Sequence, residues 1–266
     1  MGLVVPFSEF KNYYAAICGT PTLARGTVLD TNILISLTYE VKNNHDEVAA
    51  FFQECLVPER DGGFRVFTTV NTRSEFLDFI RRLLMTENLR DVIDESSAWK
   101  IPARAKAHIQ YQSGLLKRRE QQSGDPVFND TQIKMIKSSF SAGNFSGNAG
   151  WLVLCQDFLD RRLDEFEEHL AAYGIEYISQ HEPDQEELFR KKIDWHEAKR
   201  IAEVTCLSLS DAMIINAFQC SRFPFIVSSD FDLGYAVLAS KELKDVVMPD
   251  SVVRKYRDYH FEEYTE

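Results

Sequence analysis

Short apolar runs alternate along the chain with longer stretches in which apolar residues recur every three or four positions. The run GTVLDTNILISL predicts a short buried strand, Thr27 to Leu29, that leads into a helix. Four later runs rich in β-branched and aromatic residues predict further strands at 64–70, 175–179, 224–229 and 245–249. Because helical stretches separate these runs, the pattern predicts an α/β fold, with a doubly wound, mostly parallel sheet of about five strands flanked by helices.

Residues 86–150 do not follow this alternation. They contain helical pieces and no convincing strand, while strands are predicted on both sides of them. We therefore predict a single domain over 1–266 that carries a largely helical insertion at 86–150. Longer helices are predicted at about 151–173 and 185–206, where apolar residues keep the helical spacing.

The composition is that of a folded protein, with 44% hydrophobic and 12% aromatic residues in 266. Five cysteines without a Cys-x-x-Cys pair predict reduced thiols and argue against a disulfide framework or a zinc site. No stretch approaches the roughly 18 apolar residues of a membrane span, and the first residues lack the apolar core of a signal peptide. These features predict a cytoplasmic protein that does not interact with a membrane.

The formal net charge is −11, from 30 Lys and Arg against 41 Asp and Glu. This balance excludes a surface that is basic all over for non-specific binding of nucleic acid. Basic residues nevertheless cluster between 100 and 137, either as ordinary solvated helix faces or as a surface that grips phosphates. In the second interpretation the candidate substrate-binding residues are Arg104, Lys106, Lys117, Arg118 and Arg119.

Carboxylates recur where an apolar run ends and a helix begins. They are Asp30 in VLDTN, Glu75 in TTVNTRSE, Asp211 in LSLSDA, and Asp230 with Asp232 in IVSSDFD. Taken singly, each is explained as a helix cap or a first-turn acid that opposes the helix dipole. Taken together, they are expected to converge, because the carboxyl ends of parallel strands share one edge of the sheet.

Converging carboxylates repel one another unless they share a proton or bind a cation. A ligand set made only of oxygens favours Mg²⁺ or Mn²⁺. We therefore expect Asp30, Glu75, Asp211 and Asp230 to lie within reach of a common metal site. The chemistry expected there is phosphodiester hydrolysis, in which metal ions activate water and stabilise charge on the reacting oxygens.

The ordered runs DTNIL at 30–34, Glu75 within RSEFLDFIRR, SDA at 210–212 and SSD at 228–230 followed by Asp232 resemble the PIN-domain family. The resemblance covers about 26–85 and 175–249. It implies a compact parallel-sheet domain and a divalent-metal-dependent nuclease that acts on RNA. Many members of that family are toxins of toxin–antitoxin pairs, whereas others process RNA or have lost activity.

The resemblance also assigns roles to individual residues. Asp30, Glu75, Asp211 and Asp230 would be catalytic and would hold Mg²⁺ or Mn²⁺, with Asp232 as an additional ligand. Asn32 would orient Asp30, and Ser228 or Ser229 would support the site by hydrogen bonding. The implied partners are single-stranded RNA as substrate, an antitoxin or another protein, and a second copy of the chain in a homodimer.

Two other functions stay open at this point. One is a catalytically inactive PIN-like scaffold that binds RNA or a protein partner. The other is a phosphohydrolase with Asp30 as the nucleophile, although such enzymes usually carry a second Asp where this chain has Asn32. The complete set of acids favours a metal-dependent endoribonuclease.

Overall fold

The computed structural model describes residues 2–42, 44–93, 101–120, 127–140, 148–240 and 242–255. The strands are β1 Val4–Pro6, β2 Gly26–Leu29, β3 Arg65–Thr68, β4 Ile175–Tyr177, β5 Phe225–Val227 and β6 Asp245–Met248. The helices are α1 Phe10–Ile17, α2 Thr31–Thr38, α3 His45–Phe51, α4 Val70–Asp91, α5 Ala103–Glu120, α6 Asp130–Phe140, α7 Asn148–Leu159, α8 Arg162–Ala172, α9 Trp195–Thr205, α10 Leu209–Cys220, α11 Phe231–Ala239 and α12 Asp250–Val253. A π-helical turn, Phe52–Leu56, continues α3, and short 3₁₀ turns cover Phe7–Glu9, Pro58–Gly62 and Glu186–Leu188.

All six strands form one parallel sheet in the order β1-β6-β5-β2-β3-β4. The predicted α/β class and the parallel sheet flanked by helices are confirmed. The five predicted strands are all present, and β1 is an addition. It consists of only three residues, and it is a strand because Val4 and Val5 pair with Val246 and Val247 far along the chain.

The centre of the sheet is a topological switch point between β2 and β5. From β2 the chain moves outward through β3 to β4, whereas from β5 it moves outward in the other direction to β6. Parallel sheets open a crevice at such a point, beyond the carboxyl ends of the strands. Asp30 directly follows β2, and Asp230 follows β5 by three residues.

The central strands are buried along their whole length, as expected for a parallel sheet covered on both faces. Strand residues Val28, Phe67 and Ile226 pack in one apolar cluster with side chains of α10 and α11. The helix residues of this cluster include Ala212, Ile214, Ile215, Phe218, Leu233, Ala236 and Val237. This packing fixes the starts of α10 and α11, which carry Asp211 and Asp230.

The chain divides into two compact units. The first comprises Met1–Phe76 with Leu170–Glu266 and contains the sheet, whereas the second, Leu77–His169, is helical. The second unit includes the predicted insertion at 86–150 and extends beyond it on both sides. Its own core is formed by large apolar side chains, among them Leu89, Ile109, Phe128, Ile136, Trp151 and Phe158. Three parts of the predicted insertion, 94–100, 121–126 and 141–147, lie outside the described residues.

Two predicted helices are wrong in their extent. The stretch from 185 to 206 has only a 3₁₀ turn at Glu186–Leu188 before α9, because Phe189 forms an antiparallel bridge with Ser221 and Asp194 caps α9 through the N–H of His196 at 2.9 Å. The stretch from 151 to 173 is split between α7 and α8 by Arg161, whose φ of 57° is left-handed. The helical spacing of apolar residues carries no information about a tertiary bridge or about a single residue with positive φ.

In the described ranges, no single helix is long and apolar enough to cross a membrane. Helices α9 and α10 pass that test only as a pair bent by 118°.

Candidate active site

Asp30 lies at the junction of β2 and α2 and caps the helix. Its backbone is extended, and its Oδ1 accepts a hydrogen bond from the backbone N–H of Thr31 at 2.7 Å. Aspartate is favoured at this position because its carboxylate satisfies a first-turn N–H that has no partner within the helix. Asp30 is nevertheless only 4% exposed, which is far more buried than a helix cap requires.

The second oxygen of Asp30 contacts the other side of the switch point. The hydroxyl of Ser228 donates to Asp30 Oδ2 at 2.7 Å and accepts the backbone N–H of Asp230 at 3.0 Å. Ser228 is fully buried, so this hydroxyl has a fixed environment. One serine therefore holds the carboxylate that follows β2 and the backbone that follows β5.

Asp230 caps α11 in the same way that Asp30 caps α2. Its Oδ1 accepts the backbone N–H of Asp232 at 2.9 Å. Asp230 is partly buried, whereas Asp232 is exposed in the first turn of α11. The acid pair in the sequence IVSSDFD thus consists of one residue that faces the crevice region and one that faces solvent.

Asp211 belongs to the first turn of α10 and is held by Ser208, the cap of that helix. The Ser208 hydroxyl accepts the backbone N–H of Asp211 at 3.2 Å and donates to Asp211 Oδ2 at 2.7 Å. Ser208 therefore caps α10 through its hydroxyl, and the Asp211 side chain accepts from that hydroxyl and not from the Ser208 N–H that it would bind in a capping box. This side-chain bond also fixes the direction of the Asp211 carboxylate.

Glu75, near the start of α4, accepts hydrogen bonds on both carboxylate oxygens. Thr31 Oγ1 donates to Oε2 at 2.7 Å, and Ser210 Oγ donates to Oε1. Thr31 follows Asp30 in the sequence, and Ser210 precedes Asp211. Glu75 therefore connects the backbone segments that carry two of the other acids.

The carboxylates of Asp30, Asp211 and Asp230 are close enough for their charges to act on one another. Burial, above all, raises the pKa of Asp30 to about 7, and repulsion from Asp230 and Asp211 adds to it, while hydrogen bonds from Ser228 and Thr31 act in the opposite direction. Burial likewise raises the pKa of Asp230, with the charges of Asp211 and Asp232 adding to the effect. Within the described ranges, no basic side chain forms a hydrogen bond or ion pair with these carboxylates.

The expected convergence of all four acids on one metal ion is not found among the described residues. No three Asp, Glu, His or Cys side chains there are close enough together to hold an ion. Two features account for this separation of the acids. Carboxylates without a neighbouring positive charge repel one another. In addition, both oxygens of Glu75 accept hydrogen bonds from hydroxyls. The donor chemistry still fits Mg²⁺ or Mn²⁺, since the ligands are oxygens, Mg²⁺ is commonly held by one or two carboxylates, and a carboxylate oxygen can accept more than one bond.

The contacts that orient Asp30 differ from those expected. Asn32 makes no hydrogen bond to Asp30 in the described residues, where the two carboxylate oxygens accept from the backbone N–H of Thr31 and from the hydroxyl of Ser228. Of the two serines at 228 and 229, Ser228 makes the supporting contact. The orienting role assigned to Asn32 therefore belongs to Thr31 and Ser228.

The basic candidates lie on α5, in the second unit, and they differ in environment. Arg104, Lys117 and Arg118 are exposed and Lys106 is partly buried. Arg119 donates to the backbone carbonyl of Val127 and so fixes the segment that precedes α6. Its guanidinium has a structural role that the sequence did not indicate.

Three hydroxyl residues of the site escaped the sequence-based assignment of roles. Thr31 and Ser210 hold Glu75, and Ser208 holds Asp211. A signal was present, since a Ser or Thr stands directly beside Asp30 and Asp211 in the sequence. The hydroxyls of Thr31 and Ser210 bond to Glu75 and not to the acids that they flank, so adjacency in the sequence does not identify the partner.

No protein-family model, no curated protein and no solved structure matches this chain.

Proposed function

We propose that this protein is a PIN-like, Mg²⁺- or Mn²⁺-dependent endoribonuclease that hydrolyses single-stranded RNA at the Asp30 site. One observation carries the proposal above all others. The Asp30 carboxylate is buried at the switch point of a parallel sheet and is fixed by Ser228, and its pKa is raised by burial first and by the charges of Asp230 and Asp211 in addition. A helix cap alone accounts for none of these three properties.

The need for a cation follows from the charges around Asp30. Asp30, Asp211, Asp230 and Asp232 interact unfavourably with one another, and no described basic side chain bonds to them. Asp30 and Asp230 are the first candidates to hold an ion, because they flank the switch point and are joined through Ser228. A bound Mg²⁺ or Mn²⁺ ion supplies Lewis-acid stabilisation of the charge on phosphate oxygens.

The other residues of the site have positioning roles. Ser228 holds the Asp30 carboxylate, and Ser208 holds that of Asp211. Glu75, engaged on both oxygens, fixes Thr31 and Ser210 and through them the segments of Asp30 and Asp211. Asp232 is exposed beside Asp230, and we assign it an interaction with the ion through water.

The same charges make the substrate depend on the ion. An RNA phosphate that approaches several carboxylates is repelled at short range, and the repulsion is strong where little solvent screens it. We therefore propose that binding of RNA at this site follows neutralisation by a divalent cation, so that chelation abolishes turnover.

One observation favours a second candidate function, the inactive scaffold. In the described residues no three potential ligands lie within reach of one ion, and Glu75 is fully engaged by hydroxyls. A protein of this kind would keep the fold and bind RNA or a protein partner without cleaving. The two functions differ in a single measurable property, which is hydrolysis.

The experiment incubates the full-length protein with internally labelled single-stranded RNA and with DNA of the same sequence. Each substrate is tested with Mn²⁺, Mg²⁺ or EDTA, and Asp78→Asn in α4 is the matched acidic control for Asp30→Asn. We expect cleavage of RNA with either ion, loss of cleavage in EDTA and in Asp30→Asn, and full activity in Asp78→Asn. Cleavage that survives EDTA or Asp30→Asn contradicts the proposal, and intact substrates under every condition support the scaffold.

A further inference from the structure

Helices α5 and α6 of the second unit pack against each other through polar and apolar contacts. Gln112 of α5 accepts a hydrogen bond from Gln132 Nε2 at 3.0 Å and donates to the sulfur of Met135 at 3.8 Å. Ile109 and Leu116 of α5 and Ile133 and Ile136 of α6 are buried in the core of this unit. Both helices therefore bury apolar side chains in the core of the second unit.

One stripe of α5 remains outside that core. Its members recur at alternating intervals of four and three residues, which places them along one side of the helix. They are Arg104, His108, Tyr111, Leu115 and Arg118. At 1.5 Å per residue the stripe is about 21 Å long.

Apolar side chains of this stripe are unusually exposed. Tyr111 is 62% exposed and Leu115 is 38% exposed, and Met135 of α6, beside Gln112, is 44% exposed. Within the described residues, Tyr111 has no ring contact and its hydroxyl has no hydrogen bond. A large aromatic ring thus lies open to solvent in the middle of the stripe.

The surroundings of Tyr111 are positively charged although the protein is acidic. Arg104 and Arg118 stand at the two ends of the stripe, and both are exposed. From Ala103 to Arg119 the sequence has no acidic residue. The acid at the start of α6, Asp130, pairs with Arg81 at 2.6 Å.

We propose that the α5–α6 face, formed by Arg104, His108, Tyr111, Leu115 and Arg118 of α5 with Met135 of α6, binds single-stranded RNA. Tyr111 stacks on a base, and the basic side chains contact phosphates on either side of it. Stacking on an exposed ring within a basic surface is how proteins bind single strands with little sequence preference. The inference rests on the proposed function for the choice of RNA as the occupant.

The arrangement of charge favours a nucleic acid over other occupants. A protein interface of ordinary size needs a larger apolar centre than one ring and two aliphatic side chains. Arg104 and Arg118 lie at the two ends of a stripe about 21 Å long, which suits a polymer with evenly spaced negative charges. The ring of Tyr111 lies between them, and any base can stack on it. A second copy of this chain, docked through an acidic segment, is the alternative occupant that the test separates.

The test measures fluorescence anisotropy of a labelled oligouridine RNA with the full-length protein in EDTA, where no cleavage interferes. The variants are Tyr111→Ala, Tyr111→Phe and the double variant Arg104→Ala with Arg118→Ala. Matched controls in the first unit are Trp195→Ala, which removes another exposed aromatic ring, and the double variant Lys11→Ala with Lys192→Ala. Thermal unfolding of each variant checks that it is folded, which is expected because the changed side chains are exposed.

We expect Tyr111→Ala to weaken RNA binding about 5- to 100-fold, whereas Tyr111→Phe and Trp195→Ala bind like the wild type. The double arginine variant is expected to lower the slope of log K against log salt concentration by about 1.4, and the double lysine control to leave it unchanged. Equal losses in Tyr111→Ala and Trp195→Ala, or no loss in either, overturn the inference. The inference is also overturned if sedimentation shows that the wild type is a dimer and the Tyr111→Ala variant a monomer, while RNA binding persists in the variant. Because binding is measured without cleavage, failure here is distinct from failure of the nuclease assay.

Discussion

The Ser228 hydroxyl donates to the Asp30 carboxylate across 2.7 Å, although the two residues are 198 positions apart in the sequence. The contact is possible because β2 and β5 are neighbours at the point where the strand order reverses. It fixes a buried acid beside Asp230 and Asp211, so that repulsion and burial both act on the same carboxylate. Asp30 is thus held in an environment that destabilises its charge.

Asp30→Asn is expected to stabilise the protein in EDTA at about pH 8. The pKa of Asp30 is raised from 3.8 to about 7 in the folded state, so ionised Asp30 costs stability that is fully present above about pH 7 and is relieved as the pH falls towards 4. The asparagine side chain can still accept the N–H of Thr31 and carries no charge. We expect a gain on the order of 1–3 kcal/mol in the free energy of unfolding at pH 8, and a smaller gain at pH 5, by urea denaturation.

The control for this prediction is Asp194→Asn. Asp194 is an exposed helix cap that accepts the N–H of His196, and it is not coupled to other acids of the site. No gain in stability is expected there. Equal behaviour of the two variants at pH 8 would show that Asp30 is an ordinary cap.

Ser228→Ala is expected to weaken binding of Mn²⁺ about 10- to 100-fold. The change removes the donor that orients Asp30 and the acceptor for the Asp230 N–H, and partners of metal ligands typically have effects of this size. Isothermal titration calorimetry measures the affinity. Ser229→Ala removes a neighbouring hydroxyl that has no hydrogen bond in the described residues, and it should leave the affinity unchanged. Similar losses in both variants would contradict the role given to Ser228.

Glu75→Gln separates positioning from metal binding. The amide oxygen can accept a hydrogen bond from only one hydroxyl, and at the other its NH₂ group has to donate, so the bond with Thr31 or with Ser210 is reversed and both bonds lose the strength that the carboxylate charge gives them. We expect kcat for RNA cleavage to fall at least about tenfold, while the affinity for Mn²⁺ changes much less than in Asp30→Asn. A loss of Mn²⁺ affinity as large as that in Asp30→Asn would make Glu75 a direct ligand.

Lys244→Met tests how the end of α10 is joined to the sheet. The Lys244 ammonium donates to the carbonyls of Phe218, Ser221 and Phe223 at 2.7, 2.8 and 3.1 Å and lies over the Phe218 ring. Methionine keeps much of the volume but leaves these carbonyls without that donor. We expect a loss of about 2–4 kcal/mol in the free energy of unfolding. Lys11→Met, at an exposed position in α1, is the control, and an equal change there would contradict the account.

The sequence predicted the parts of the fold that are encoded locally. Apolar runs identify β2 to β6, and the acids that follow β2 and β5 mark the edge of the sheet where the site lies. The partners of these residues are not local. Glu75 is held by Thr31 and Ser210, 44 and 135 positions away, and β1 exists only through its pairing with β6. No periodicity reports such contacts, because they arise only when the sheet brings distant segments together.

The central claim is that the Asp30 carboxylate takes part in metal-dependent hydrolysis of RNA, and its most direct test is the single-turnover rate of RNA cleavage in Mn²⁺. The rate is compared between the wild type, Asp30→Asn and Asp194→Asn, two variants that each change an aspartate cap of a helix in the same unit. We predict that Asp30→Asn loses more than about 100-fold in rate, since partners outside the ligand shell alone account for about 10- to 100-fold, and that Asp194→Asn keeps the wild-type rate. Equal rates in Asp30→Asn and the wild type would contradict the claim.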